Sequence, residues 1–194
     1  MKEIKTTSIV LAGVGGQGIL LASEIVAQAA MAAGYEVKTN EVHGMAQRGG
    51  SVLAQIRYGK KVYSPLVGCG TAQVLGSLER IEALRFASYL APGGLCVVNS
   101  QKIVPVTVSM GAASYPDDAE IRLKNKFPNL IYFDAAEEAG TCGNLRAANV
   151  ALLGALSTGL DLPEKAWHKA IEVSVPEKYK DVNLKAFERG KTKA

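Results

Sequence analysis

The chain lacks any run of about 18 consecutive apolar residues, the length that a membrane-spanning helix requires, so neither a transmembrane segment nor a membrane partner is expected. Aromatic residues make up only 6%, too few to interleave with arginines in the manner of a nucleic-acid surface, and no nucleic-acid partner is expected. Cysteine occurs only at Cys69, Cys96 and Cys142, with no C-x-x-C pair. That spacing argues against a disulfide framework in a reducing compartment and offers no zinc or iron–sulfur ligand pattern. No metal site is therefore expected, and a cluster serving this chain would have to be held by another polypeptide. Charge of one sign is also lacking through most of the chain. The net charge of +4 comes from residues 165–194, with 8 Lys/Arg against 4 Asp/Glu, whereas residues 1–164 carry 14 of each. Lys185, Arg189, Lys191 and Lys193 lie along an expected helix and its frayed end, which reads as a solvated terminus. The start, Met1 to Thr7, is too short and too acidic for a secretion signal, so a cytoplasmic location is expected.

What is present is a globular composition. The 194 residues are 48% hydrophobic and 21% charged, enough to fill a core and unlike a disordered chain. With no repeat, low-complexity tract or linker, one domain over residues 1–194 is expected. The apolar run Ile9 to Ala12 predicts a buried strand. Ile19, Ala22, Val26, Ala29, Ala30 and Ala33 fall at helical spacing, with Gly34 just beyond, and Tyr35 to Val42 predicts a second strand. Strand, glycine turn, helix and strand form a βαβ unit, which implies a parallel pair with a right-handed crossover. Alternation over residues 51–58, a Gly59-Lys60 turn and a return over 61–64 predict a β-hairpin. Strands are expected over 72–76, 95–98 and 129–134, the last two flanking a βα-like passage over 104–115. Helices are expected over 79–90, 144–158, 163–173 and 176–189. The fold class is thus α/β: a Rossmann-like, mostly parallel sheet flanked by helices, with a β-hairpin insertion and C-terminal helices.

Two glycine-rich segments carry the candidate site. Gly13, Gly15, Gly16, Gln17 and Gly18 lie in a G-x-G-x-x-G pattern between strand and helix. There, glycines permit a tight turn and the helix directs unpaired N–H groups at an anion. The same turn is also compatible with close helix–strand packing alone. A dinucleotide fingerprint would further need an acid ending the second strand. Glu41 lies near that end, 23 residues after Gly18, without being a clean match.

The second segment holds His43, Gln47, Arg48, Gly49 and Gly50 where ligands bind in open α/β sheets. Arg48 beside two glycines suits a phosphate or carboxylate, and His43 suits either a proton shuttle or a structural hydrogen bond. No Ser, Cys or carboxylate partner stands at a recognisable spacing, so no nucleophilic triad and no catalytic residue is assigned to this chain. His168, on an amphipathic helix, reads as non-catalytic.

Gly-Val-Gly-Gly-Gln-Gly-Ile at 13–19 and Glu-Val-His-Gly-Met-Ala-Gln-Arg-Gly-Gly-Ser-Val at 41–52 resemble the gamma-domain family of 2-oxoacid:ferredoxin oxidoreductases, and within it the small subunits that act on indolepyruvate. Segments 63–66, 105–109, 144–150 and 175–178 follow the same family in order and spacing. The resemblance implies a subunit that is inactive alone and holds no cofactor by itself. A large partner would carry thiamine diphosphate, magnesium and the iron–sulfur clusters. The complex would oxidatively decarboxylate an arylpyruvate to an acyl-CoA and reduce ferredoxin, in anaerobic metabolism and as a higher-order heteromer. The gamma-type domain would contribute to coenzyme A binding and to closing the active site, and the family's functional residues match here at Gly13, Gly15, Gly16, Gly18, His43, Gln47, Arg48, Gly49 and Gly50, without a division between coenzyme A contacts and partner contacts. Within the resemblance, the alternative is a gamma subunit acting on pyruvate, a branched-chain oxoacid or 2-oxoglutarate; the residues alone also leave open a free-standing NAD(P) oxidoreductase and a non-enzymatic nucleotide-binding or scaffold protein.

Overall fold

The apolar run near the amino terminus forms the centre of a six-stranded sheet. A computed structural model describes residues 6–44, 49–111 and 114–194. Strand β1 (Thr6–Val14) leads into helix α1 (Ile19–Ala32), β2 (Glu36–His43) and β3 (Ser51–Gly59). Then come β4 (Ala72–Ser77), α2 (Arg80–Arg85), β5 (Leu90–Asn99), the short α3 (Val106–Ser109), α4 (Ala119–Lys126) and β6 (Leu130–Phe133). Helices α5 (Ala135–Thr141), α6 (Ala148–Ser157), α7 (Glu164–Ser174) and α8 (Lys180–Lys191) close the chain. No helix of the described residues is long and apolar enough to cross a membrane.

The sheet order is β2-β3-β1-β4-β5-β6. β1, β4, β5 and β6 pair in parallel, whereas β3 is antiparallel to both β1 and β2. Alternate side chains of β1 enter different cores. Ile9 and Leu11 meet α1, α6, α7 and α8 through residues such as Ile25, Leu156, Trp167 and Phe187. Val10 meets the opposite layer, where Ala83 of α2, Leu123 of α4 and Phe127 pack. A strand covered on both faces reads as a continuous apolar run, which is why β1 is legible.

Two expectations are corrected. β1 and β2 run in the same direction but are not neighbours, because β3 lies between them. The residues explain the order. β2 carries Glu36, Lys38 and Glu41, charges that protect an edge, whereas β3 buries Val52, Ala54, Ile56 and Tyr58. The return strand over 61–64 does not form, since both edges of β3 are already taken. Residues 64–67 instead cross the face of β3, held by its side chains: Val67 N donates to Gln55 Oε1 at 2.6 Å and Arg57 Nη1 donates to Ser64 O at 3.0 Å.

Smaller differences follow from local chemistry. The helix expected over 79–90 divides into α2 and a 3₁₀ turn, and the strand expected over 95–98 begins earlier, at Leu90, with an irregularity in its pairing before Leu95. The βα passage expected over 104–115 contains α3 alone among the described residues. Helices α4 and α5 were not signalled by periodicity. For α5 the cue was Asp134-x-x-Glu137: the Asp134 carboxylate accepts from Glu137 N at 2.9 Å and caps the helix.

Candidate functional site

Because β3 enters antiparallel, its first residues lie beside the carboxyl end of β1, and the two glycine segments meet there. Gly15 N donates to Gly50 O at 2.8 Å and Gly49 N donates to Gly15 O at 3.4 Å. Gly44 N donates to Ser51 O at 3.1 Å and closes the neck of the second loop. Gln47 and Arg48 lie outside the described residues.

Helix α1 opens onto this junction with its positive end uncompensated. No side chain caps it and no acid occupies its first turn. Gly18 at its start has φ +80°, and a Cβ there would lie 2.6 Å from Asn149 Nδ2, which itself donates to Gly18 O. Gly16 has φ +102° with open space around it. The first glycine fixes helix α1 against α6, and the second keeps the approach to the helix end clear.

Gln17 works inside the loop. Its Oε1 accepts from Val14 N at 2.7 Å, and its Nε2 donates to Leu78 O at 2.6 Å and Gln101 Oε1 at 2.8 Å. The carboxamide thus joins the carboxyl ends of β1, β4 and β5, and its role is to position the loop.

Glu41 and His43 are exposed on β2. His43 pairs with Val52 and Val52 with Gly13, which puts His43 level with the loop but two strand spacings away, about 10 Å. Glu41 pairs with Ala54, opposite Leu11, below the loop. A ribose-binding acid must end the strand next to β1, and β3 occupies that place with apolar side chains. Glu41 therefore does not complete a dinucleotide fingerprint, which removes the geometric basis for autonomous NAD binding.

A buried acidic pair beside the loop was missed. Glu79 accepts from Ile81 N at 2.6 Å and Glu82 N at 3.1 Å, capping α2, and from Ile103 N at 3.3 Å and the Tyr115 hydroxyl at 2.7 Å. The Tyr115 hydroxyl also accepts from Arg80 Nε at 2.9 Å. Burial, and then Glu79, push the Tyr115 phenol well above its ordinary value, so it stays protonated as a donor. Glu82 accepts from Ser51 Oγ and from Arg85 Nε, fastening the start of β3 to α2. Reading 79–90 as an ordinary helix hid this network; the Glu79-x-x-Glu82 spacing at its start was the available signal.

Other assignments resolve separately. Segments 144–150 and 175–178 converge with Leu21 and Tyr179 around a cleft of about 130 Å³. Three basic residues of the terminus are paired, Arg189 Nη2 and Lys193 Nζ at 2.6 and 2.5 Å from Glu138 and Lys191 Nζ at 2.7 Å from Glu164, while Lys185 is exposed. His168 Nε2 lies 2.8 Å from Glu188 Oε1, and Lys191 already supplies the cation between Glu188 and Glu164. Cys96 is enclosed in the core, where burial pushes its thiol far up, while Cys69 is exposed. Among the described residues no cysteine joins a metal-type cluster, so the donors do not fit an iron–sulfur group.

Comparison with known proteins extends over nearly the whole chain. The pyruvate ferredoxin/flavodoxin oxidoreductase family matches residues 8–192. Indolepyruvate oxidoreductase subunit IorB of Thermococcus kodakarensis is 46% identical over 192 residues, 96% of this chain and 95% of the relative. The same subunit of Pyrococcus horikoshii shows the same identity and coverage. The gamma subunit of a keto/oxoacid ferredoxin oxidoreductase from Geobacter sulfurreducens superposes with a TM-score of 0.70 at 26% identity, covering 97% of this chain and 98% of that one. The chain belongs to the pyruvate ferredoxin/flavodoxin oxidoreductase family.

Proposed function

We propose that this chain is the small, gamma-type subunit of an indolepyruvate:ferredoxin oxidoreductase, acting as one domain that lends an anion-holding rim to chemistry performed with a larger partner. The observation that carries the reading is the backbone junction of Gly15 with Gly49 and Gly50 beside the uncapped amino end of α1. Such a rim offers N–H donors and positive potential to the phosphates of coenzyme A, at the carboxyl edge of the sheet. The substrate assignment rests on the relatives named for indolepyruvate. Thiamine diphosphate with magnesium and the iron–sulfur clusters are assigned to the partner, and ferredoxin is reached through the complex. In this division the small subunit orients the acyl acceptor and shields the reacting centre from water. Within the chain, Gly13, Gly15, Gly16 and Gly18 shape the rim, Gln17 braces it, and Arg48 is assigned to an anionic group of the acceptor.

Co-expression with the large subunit tests this reading. The two chains are expected to co-purify, and Arg48→Ala in the complex is expected to raise KM for coenzyme A by about tenfold, the worth of one charge-assisted contact, with KM for the oxoacid unchanged. Unaltered kinetics with coenzyme A varied would remove Arg48 from the site.

A further inference from the structure

A second positive feature adjoins the glycine rim. Arg80 follows the carboxyl end of β4 and Lys102 that of β5, and Arg80 N donates to Gln101 O at 3.3 Å. Both side chains gather on one ring: Arg80 Cζ lies 5.0 Å and Lys102 Nζ 4.5 Å from the Tyr115 centroid. Among the described residues neither cation has a carboxylate within the 4.0 Å of an ion pair. Glu79, the residue before Arg80, has both its oxygens occupied, by three backbone N–H groups and the Tyr115 hydroxyl.

Two like charges drawn to one phenol are an arrangement that an anion joining them would stabilise. The scaffold is stiff. Glu79 ties together the start of α2, residue 103 and Tyr115, and Tyr115 receives Arg80 Nε, which leaves the terminal guanidinium nitrogens without a carboxylate among the described residues. A guanidinium fork and an ammonium within 5.0 Å of one ring are a donor set for phosphate oxygens. The feature is also continuous with the rim, because Gln17 Nε2 bonds to Leu78 O and Gln101 Oε1, one or two residues from Arg80 and Lys102.

We propose that Arg80 and Lys102, carried on Tyr115, form a phosphate clamp that holds a phosphorylated end of the ligand bound at the glycine rim. Only the identity of that ligand as coenzyme A rests on the functional reading above; the clamp itself rests on the cation geometry.

Calorimetric titration of the full chain with inorganic pyrophosphate, and separately with coenzyme A, tests the clamp. Pyrophosphate is expected to bind and to weaken about tenfold with Arg80→Gln and about fivefold with Lys102→Gln, as loss of one charge-assisted contact predicts. Arg80→Lys is expected to fall between, and Lys185→Gln on α8 to change nothing. Lys102 is exposed, so its substitution leaves the fold intact and reads the charge alone. Equal pyrophosphate affinity in wild type, Arg80→Gln and Lys102→Gln would overturn the clamp, as would no saturation up to about 10 mM. If pyrophosphate responds as expected but coenzyme A does not compete, the clamp stands and the coenzyme A reading falls. If coenzyme A binds with an affinity indifferent to both substitutions, the reading stands and the clamp falls.

Discussion

At Gly18 the backbone adopts φ +80° while the space a side chain would fill is held by Asn149. Gly18→Ala therefore meets both a left-handed backbone and a collision, and is expected to cost about 2–3 kcal/mol in urea unfolding. Gly16→Ala meets the backbone cost alone, about 1 kcal/mol, because the space there is open. A smaller loss at Gly18 than at Gly16 would contradict this account of the loop. A second residue-level test concerns Glu138, whose carboxyl is held below its ordinary 4.5 by Lys193 and then Arg189. A depressed carboxylate stabilises the fold above its unfolded pKa, and that contribution disappears as pH falls through the folded value. Glu138→Gln should cost about 1 kcal/mol at pH 7, and the difference from wild type should shrink as pH falls below the ordinary carboxyl value of 4.5. A difference independent of pH would assign the loss to packing. At this scale the glycines of the rim were legible, because their pattern and position between strand and helix are local. Glu79 was not, since its partners Ile103 and Tyr115 are distant in sequence.

Helix α8 crosses α6 with almost no room between them. A Cβ at Gly190 would lie 1.8 Å from Ala151 O, and one at Gly154 2.0 Å from Phe187 O. Within an exposed helix, Gly→Ala stabilises by up to about 1 kcal/mol through propensity. Here the sign reverses: Gly190→Ala is expected to destabilise by about 3 kcal/mol, because backbone must move. Thermal unfolding decides it, and a raised midpoint would refute the close crossing. The last turn of α8 also pairs with its neighbours α5 and α7 through Glu138 and Glu164, contacts that charge counting does not reveal, while Lys185 stays exposed. Element existence was readable wherever one period ruled, as in β1, α1 and α7. Element order was not. The place of β3 between β2 and β1 depends on which strand tolerates an exposed edge, a competition between strands that no single window contains.

For the molecule as a whole, the sheet puts the ends of β1, β4 and β5 along one rim, and Gln17 spans all three. The proposed function places the anion-holding rim along this edge, beside the amino end of α1. The segments 13–19 and 41–52 that carry the family resemblance meet here, where Gly15 N donates to Gly50 O. The most direct measurement is indolepyruvate-dependent, coenzyme A-dependent reduction of ferredoxin, assayed with the purified chain alone and after reconstitution with its large subunit. No reduction by the isolated chain and turnover on reconstitution are predicted; turnover by the isolated chain would contradict the account.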